Sequence, residues 1–173
     1  LLQQHLQMNE SDAANLWVAS AHLLRSRALA LSELPEHLVI VGGSYIGLEM
    51  AQIFRRLGAD VTVIEGGPAL ASRENPDISA MIREFLEAEG ITVHTGAKIE
   101  GVSGASGTIT VRMDTGVASG THLLVATGRL PNTDGLGLES IGIETGPRGH
   151  ITTNERLETA VHGVWALGDI NGR

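Results

Sequence analysis

Six residues, Gly42-Gly43-Ser44-Tyr45-Ile46-Gly47, follow directly on the apolar run Leu38-Val39-Ile40-Val41 and open a stretch of helical periodicity. Their spacing is close to G-x-G-x-x-G, where the first glycine makes the turn, the second admits a pyrophosphate and the third allows close helix packing. Ser44 stands at the second of those positions. It is small and adds a hydroxyl donor, so the turn should tolerate it. Amide hydrogens at the start of the following helix, aided by the helix dipole, would face the phosphates. Glu65 lies 23 positions after Gly42, at the end of a second apolar run, Val61-Thr62-Val63-Ile64. A carboxylate there accepts hydrogen bonds from the adenosine ribose hydroxyls and repels a 2′-phosphate. Gly66, Gly67 and Pro68 follow it instead of an arginine, which predicts NAD in preference to NADP; Arg73 is near enough to swing in.

Other chemistries find little support. The seven histidines are scattered without an H-x-x-x-H pair, so no metal site is expected. No G-x-S-x-G nucleophile turn occurs. Glu84, Glu87 and Glu89 read as the wet face of a helix.

The elements that must position the turn can be read from the pattern. Residues 38–65 form one β-α-β unit: a buried strand, the glycine turn, a helix with apolar Ile46, Met50, Ile53 and Leu57 stopped by Gly58, and a second buried strand. A parallel strand pair requires such a crossover. Asn75-Pro76-Asp77 starts another helix, with an apolar stripe at Ile78, Met81, Ile82, Phe85 and Leu86 and a stop at Gly90. Ile91-Thr92-Val93 is a third strand. From Gly96 onward, short alternating segments punctuated by glycine predict an antiparallel meander. Leu123-Leu124-Val125-Ala126 returns to a buried strand, residues 130–149 form a glycine-rich connection, and Val164-Trp165-Ala166-Leu167 is a last short strand. Upstream, Ala14, Trp17, Val18, Ala21 and Leu24 have helical spacing within residues 12–31, ended by Pro35.

Composition narrows the class. The chain has 173 residues, 22 glycines, no cysteine and a net charge of −8, enough length for one domain with its own core. Absent cysteines exclude a disulfide scaffold, a Cys-based zinc site and thiol catalysis by this chain alone. The acidic balance and a single lysine, Lys98, argue against nucleic-acid binding. With no apolar run near 18 residues and no secretory signal, a soluble, cytoplasmic protein without a membrane partner is expected.

Residues 26–173 resemble the pyridine-nucleotide domain of the flavin-dependent disulfide oxidoreductases, the family of dihydrolipoamide dehydrogenase, glutathione reductase and mercuric reductase. Three blocks carry the resemblance: Leu34-Pro35 leading into Val39 through Glu49, then Ala126-Thr127-Gly128-Arg129-Leu130-Pro131-Asn132, then Gly163-Val164-Trp165-Ala166-Leu167-Gly168-Asp169. Arg73-Glu74-Asn75-Pro76-Asp77 leans towards mercuric-reductase-like members. The resemblance implies an α/β, Rossmann-like three-layer nucleotide-binding domain, a parallel sheet plus an antiparallel β-meander. It divides the chain into an unassigned lead-in (1–25, helical from about residue 12), an NAD(P)-binding domain (26–149) and a returning segment (150–173) that would join the FAD domain of the full-length enzyme.

It also implies site residues. Gly42, Gly43, Ser44, Ile46 and Gly47 would cradle the dinucleotide and Glu65 its ribose. Tyr45 would take the place of a gating tyrosine over the flavin, unless it packs against the sheet. Glu49 corresponds to the helix acid near the flavin–nicotinamide junction, or is a polar helix position. The backbone of Ala126, Thr127 and Gly128 would lie beside the nicotinamide half. Gly168 and Asp169 match the FAD-contacting end of the last strand, though Asp169 without a flavin domain is a turn residue. His162 replaces a common proline.

The family's flavin domain, redox-active cysteine pair and dimerising domain do not occur in this stretch, so an excised central domain of a homodimeric parent is expected. Its partners would be a nicotinamide dinucleotide and, in the parent chain, FAD and the interface domains. The implied activity is hydride transfer from nicotinamide to flavin and then typically to a cysteine pair, with no catalytic residue in this fragment, which would bind NAD(H) without turnover. Two other readings share the glycine turn. A stand-alone NAD-sensing module has no reason to keep Gly168-Asp169, and an S-adenosylmethionine-dependent transferase would lack the meander and the Ala126–Asn132 block.

Overall fold

A computed structural model describes residues 31–105 and 107–172, together with the strand Leu16–Val18. It divides into two units, residues 1–128 and 129–173.

In the first unit five parallel strands form one sheet: β1 (Leu16–Val18), β2 (His37–Val41), β3 (Asp60–Ile64), β4 (Thr92–His94) and β8 (His122–Val125), in the order β1-β8-β2-β3-β4. Helix α1 (Tyr45–Leu57) connects β2 to β3, and helix α2 (Pro76–Ala88) connects β3 to β4. Between β4 and β8 runs a separate antiparallel sheet of β5 (Ile99–Ala105), β6 (Thr108–Met113) and β7 (Gly116–Gly120). Strand alternation makes three layers of this. Leu38 and Ile40 join Met50, Ala51 and Phe54 of α1 and Leu86 of α2 in one core. Val39 and Val41 join Val102, Ile109, Val111 and Met113 of the meander in another. The sheet is thus covered on both faces, as near-continuous apolar strands require. The fold is the α/β, Rossmann-type architecture with a meander that the sequence predicts.

From β2 the chain steps outward through β3 and β4, then returns to place β8 on the other flank of β2. Strand order reverses there. In open α/β sheets, ligands bind outside the carboxyl ends of the strands at such a reversal. Gly42 follows β2 and Ala126 follows β8, so the glycine turn stands at that point.

The helix stops behave as expected. Gly58 caps α1 with a left-handed φ of 110°, its amide donating to Arg55 O. Gly90 follows the end of α2 with φ 84°.

Three expectations are corrected. Within the helical reading of residues 12–31, Leu16–Val18 is instead strand β1, paired with β8 in register Leu16–Leu123 to Val18–Val125. An open edge of a parallel sheet supplies hydrogen-bond partners that local spacing cannot reveal. The remainder of that reading, up to residue 30, lies outside the described residues. The α2 stripe is only partly core: Leu86 is buried and Ile82 half-buried, whereas Ile78, Met81 and Phe85 are 40%, 64% and 58% exposed. This helix contacts the edge strand β4, so the sheet beneath it covers a narrow face. Finally, residues 164–167 form no strand; Trp165 makes one isolated bridge, to Glu158.

The second unit is largely irregular, with 3-10 turns at Leu138–Ile141 and Gly168–Ile170. Leu138, Ile143, Ile151 and Ala166 form its small core, flanked by Val161, Val164 and Ile170. Among the described residues no helix is long and apolar enough to cross a membrane.

Candidate functional site

The turn between β2 and α1 is built without room for side chains. Gly42 has φ 117°, and a Cβ there would stand 2.5 Å from the Ala126 carbonyl oxygen. A Cβ on Gly47 would collide with the Gly42 carbonyl oxygen. Helix α1 is thereby drawn against the end of β2, and the Ala126 backbone against the turn. The Ala126 amide in turn donates to Val41 O at 2.7 Å.

Ser44 is the N-cap of α1 in extended conformation, and its hydroxyl makes no capping bond. The first helical bond runs from Leu48 N–H to Ser44 O at 3.0 Å. The amides of Tyr45, Ile46 and Gly47 therefore have no acceptor inside the helix. Helix α1 carries no acid of its own in its first turn, and Arg55 and Arg56 suit the dipole in its last. Such an N-terminus accepts an anion.

Glu65, one residue beyond β3, turns its carboxylate back onto this loop. Oε2 accepts from the Gly43 amide and Oε1 from the Gly67 amide, both at 2.6 Å. Tyr45, the first residue of α1, is 56% exposed, and its hydroxyl donates to Glu74 Oε1. That bond, and then the carboxylate's charge, push the phenol's pKa above its ordinary value; Arg73 pulls weakly the other way. Glu49 lies on the exposed side of α1, and Thr127 and Gly128 are exposed just beyond Ala126. A Cβ on Gly128 would meet open space.

The structure thus brings Gly42, Gly43, Ser44, Tyr45, Ile46, Gly47, Glu65 and Ala126 together at the strand-order reversal. Gly168 and Asp169 belong to the second unit. There Asp169 lies within a 3-10 turn and pairs with Arg129 Nη1 at 3.0 Å. Sequence reasoning missed Glu74, whose contact with Tyr45 spans 29 positions, and the Gly67 amide. The Gly66-Gly67 pair directly after the strand-end acid was the available signal for the second. Among the described residues, no three His, Asp or Glu side chains are grouped to hold a metal ion.

Residues 10–173 match the family described as pyridine nucleotide-disulphide oxidoreductase. The mercuric reductase of Streptomyces lividans is 45% identical over 153 residues, covering 86% of this chain and 32% of the relative. The dihydrolipoyl dehydrogenase of Thermus scotoductus is 38% identical over 152 residues, covering 84% and 33%. Among solved structures, the HOCl-induced flavoprotein disulfide reductase RclA of Escherichia coli superposes with a TM-score of 0.80 at 33% identity, covering 92% of this chain and 35% of that one. The chain spans about a third of the length of the curated relatives it matches.

Proposed function

Because the chain belongs to the pyridine nucleotide-disulphide oxidoreductase family, we propose that it is the part that binds and orients the nicotinamide dinucleotide, NAD(H) in preference to NADP(H). One observation carries this reading: at the reversal of strand order the chain has a turn drawn tight by Gly42, Gly43 and Gly47, and three helix amides without helical acceptors. A pyrophosphate fits that donor set, since amides and a dipole end offer positive potential.

In this reading the amides of Tyr45, Ile46 and Gly47, with the Ser44 hydroxyl, hold the phosphates. Glu65 receives the adenosine ribose hydroxyls, giving up or sharing the Gly43 and Gly67 amides as it does so. The backbone of Ala126, Thr127 and Gly128 lines the side along which the nicotinamide half would extend. When bound, the dinucleotide supplies a hydride, which in the parent enzyme goes to a flavin held by other parts of the chain. Asp169 and Gly168 are proposed to face that flavin, and Glu49 the junction with it. The chain by itself is expected to bind without turnover, in a cytoplasmic parent that works as a homodimer.

Fluorescence titration of the 173-residue chain tests the reading. NADH is expected to bind more tightly than NADPH, by about tenfold for a repelled 2′-phosphate. Glu65→Arg should weaken NADH or reverse the preference. Tighter NADPH binding in the wild type, or an unchanged ratio in the variant, overturns the role of Glu65.

A further inference from the structure

The loop between β3 and α2 closes on one residue of the glycine turn. Gly43 is buried, and residues 65–71 hold both of its backbone polar groups. Its amide donates to Glu65 Oε2 at 2.6 Å, and its carbonyl oxygen accepts the Ala71 amide at 2.8 Å. A Cβ on Gly43 would stand 2.6 Å from Leu70 Cδ2, so the loop also packs against it. Ala71, itself buried, has φ 44°, a left-handed conformation that a non-glycine residue keeps only when its surroundings enforce it. Those surroundings are on hand. The Glu74 amide donates to Ala71 O at 2.8 Å, and the buried Ser79 hydroxyl reaches the same oxygen at 3.4 Å. Leu70, next to it, is fully enclosed. Packing and hydrogen bonds together hold Ala71 where its amide meets Gly43 O.

We propose that Ala71 is a positioning residue of this site: through its amide it fixes the peptide between Gly43 and Ser44, and so the direction of the Ser44 N–H. The inference rests on reading the glycine turn as the dinucleotide site. Gly43 has no Cβ to resist rotation of the peptide that follows it, so something else must hold that peptide. It is trans and planar, and its N–H therefore points opposite to its C=O. With the carbonyl held towards Ala71, the Ser44 amide faces away from the β3–α2 loop, at the exposed N-cap of α1. Among the described residues nothing accepts that amide. It joins the amides of Tyr45, Ile46 and Gly47 as a phosphate donor. Were the peptide turned over, a carbonyl oxygen would replace this donor and repel the phosphates. Water is a poor substitute for the Ala71 amide, because Gly43, Leu70 and Ala71 are all buried.

Replacing Ala71 by lactic acid keeps the methyl group but makes the link after Leu70 an ester, which removes the N–H donor. ADP and NADH should bind this ester form about threefold to tenfold more weakly than the wild type, the size of one lost hydrogen bond. Adenosine, which carries no phosphate, should bind equally to both. Ala71→Gly keeps the amide and takes left-handed backbone without strain, so this conservative variant should hold ADP as the wild type does and unfold at higher urea. Equal weakening of adenosine overturns the proposal, since a displaced loop would spare neither ligand. So does unchanged ADP affinity in the ester, or a loss of ADP in Ala71→Gly, which would place the role in the methyl group. Nuclear magnetic resonance of the unaltered chain tests the same contact without relying on the folding of the ester. On saturation with ADP the Ser44 amide resonance should shift, and the Ala71 amide should stay protected from hydrogen exchange. A still Ser44 resonance, or exchange at Ala71 brought on by ADP, overturns the role. Failure of the wild type to bind either ADP or NADH rejects the dinucleotide reading and this role with it, whereas normal wild-type binding with an unaffected ester rejects the role of Ala71 alone.

Discussion

At the residue scale, the glycine turn depends on contacts measured in tenths of an ångström. Gly47 lets the first turn of α1 rest on the carbonyl of Gly42, and an added methyl would have to displace backbone on both sides. Gly47→Ala is therefore expected to destabilise the chain by about 2–3 kcal/mol, the range for overpacking against atoms that cannot retreat. Urea denaturation reads this directly, and a change under about 0.5 kcal/mol would show that α1 can shift outward without penalty. Glu65 illustrates a different economy. Its carboxylate is held by two backbone amides before any ligand arrives, so the residue that would read the ribose also fixes the shape of the loop.

At the element scale, the two helices share a covered face but not to the same depth. Met50, Ala51 and Phe54 of α1 are buried at spacings that follow the helical period. In α2 the same periodicity exists in the sequence, yet among the large apolar side chains only Leu86 is fully enclosed. Leu86→Ala is expected to cost about 2–4 kcal/mol, whereas Met81→Ala should stay within about 0.5 kcal/mol. Thermal or urea unfolding of the two variants side by side checks the difference; equal losses would mean that Met81 is covered in solution. Arg55 links the ends of the helices, donating through Nε to Glu89 O at 2.9 Å and through Nη1 to Ala59 O at 3.0 Å. These carbonyls lie at helix C-termini, where a cation also suits the dipole.

At the scale of the whole parallel sheet, the end opposite the glycine turn is closed by polar side chains. His37 Nε2 bonds Thr62 Oγ1 at 2.8 Å, the Thr121 hydroxyl donates to His37 O at 3.1 Å, and His122 Nδ1 meets Thr121 Oγ1 at 3.0 Å. Strands β2, β3 and β8 are thereby joined through side chains as well as backbone. Burial pushes the His122 imidazole below its ordinary value of 6.5. The folded chain then takes up this proton less readily than the unfolded one. Stability is unaffected by His122 above about pH 6.5 and declines as pH falls below it, until the folded-state value is passed. Denaturant midpoints measured from about pH 7.5 down to about pH 5.5 should show this decline, and His122→Gln should lose that part of the slope. An identical pH profile in the variant would remove His122 from the account.

What could be read from the sequence was what neighbouring residues decide among themselves. The strand, turn, helix and strand of residues 38–65 follow from apolar period, and the ends of both helices from Gly58 and Gly90, because these preferences act within a few positions. The meander was legible for the same reason. The tertiary structure decided what depends on partners far along the chain. Leu16–Val18 became a strand because β8 offered an edge, and Ile78, Met81 and Phe85 stayed outside because α2 lies over the margin of the sheet. The Glu65 carboxylate met Gly43, and Glu74 met Tyr45, because the loop after β3 folds back onto the turn after β2. Periodicity states which residues are apolar; only the packed chain determines which of them find cover and which distant groups come within hydrogen-bonding distance.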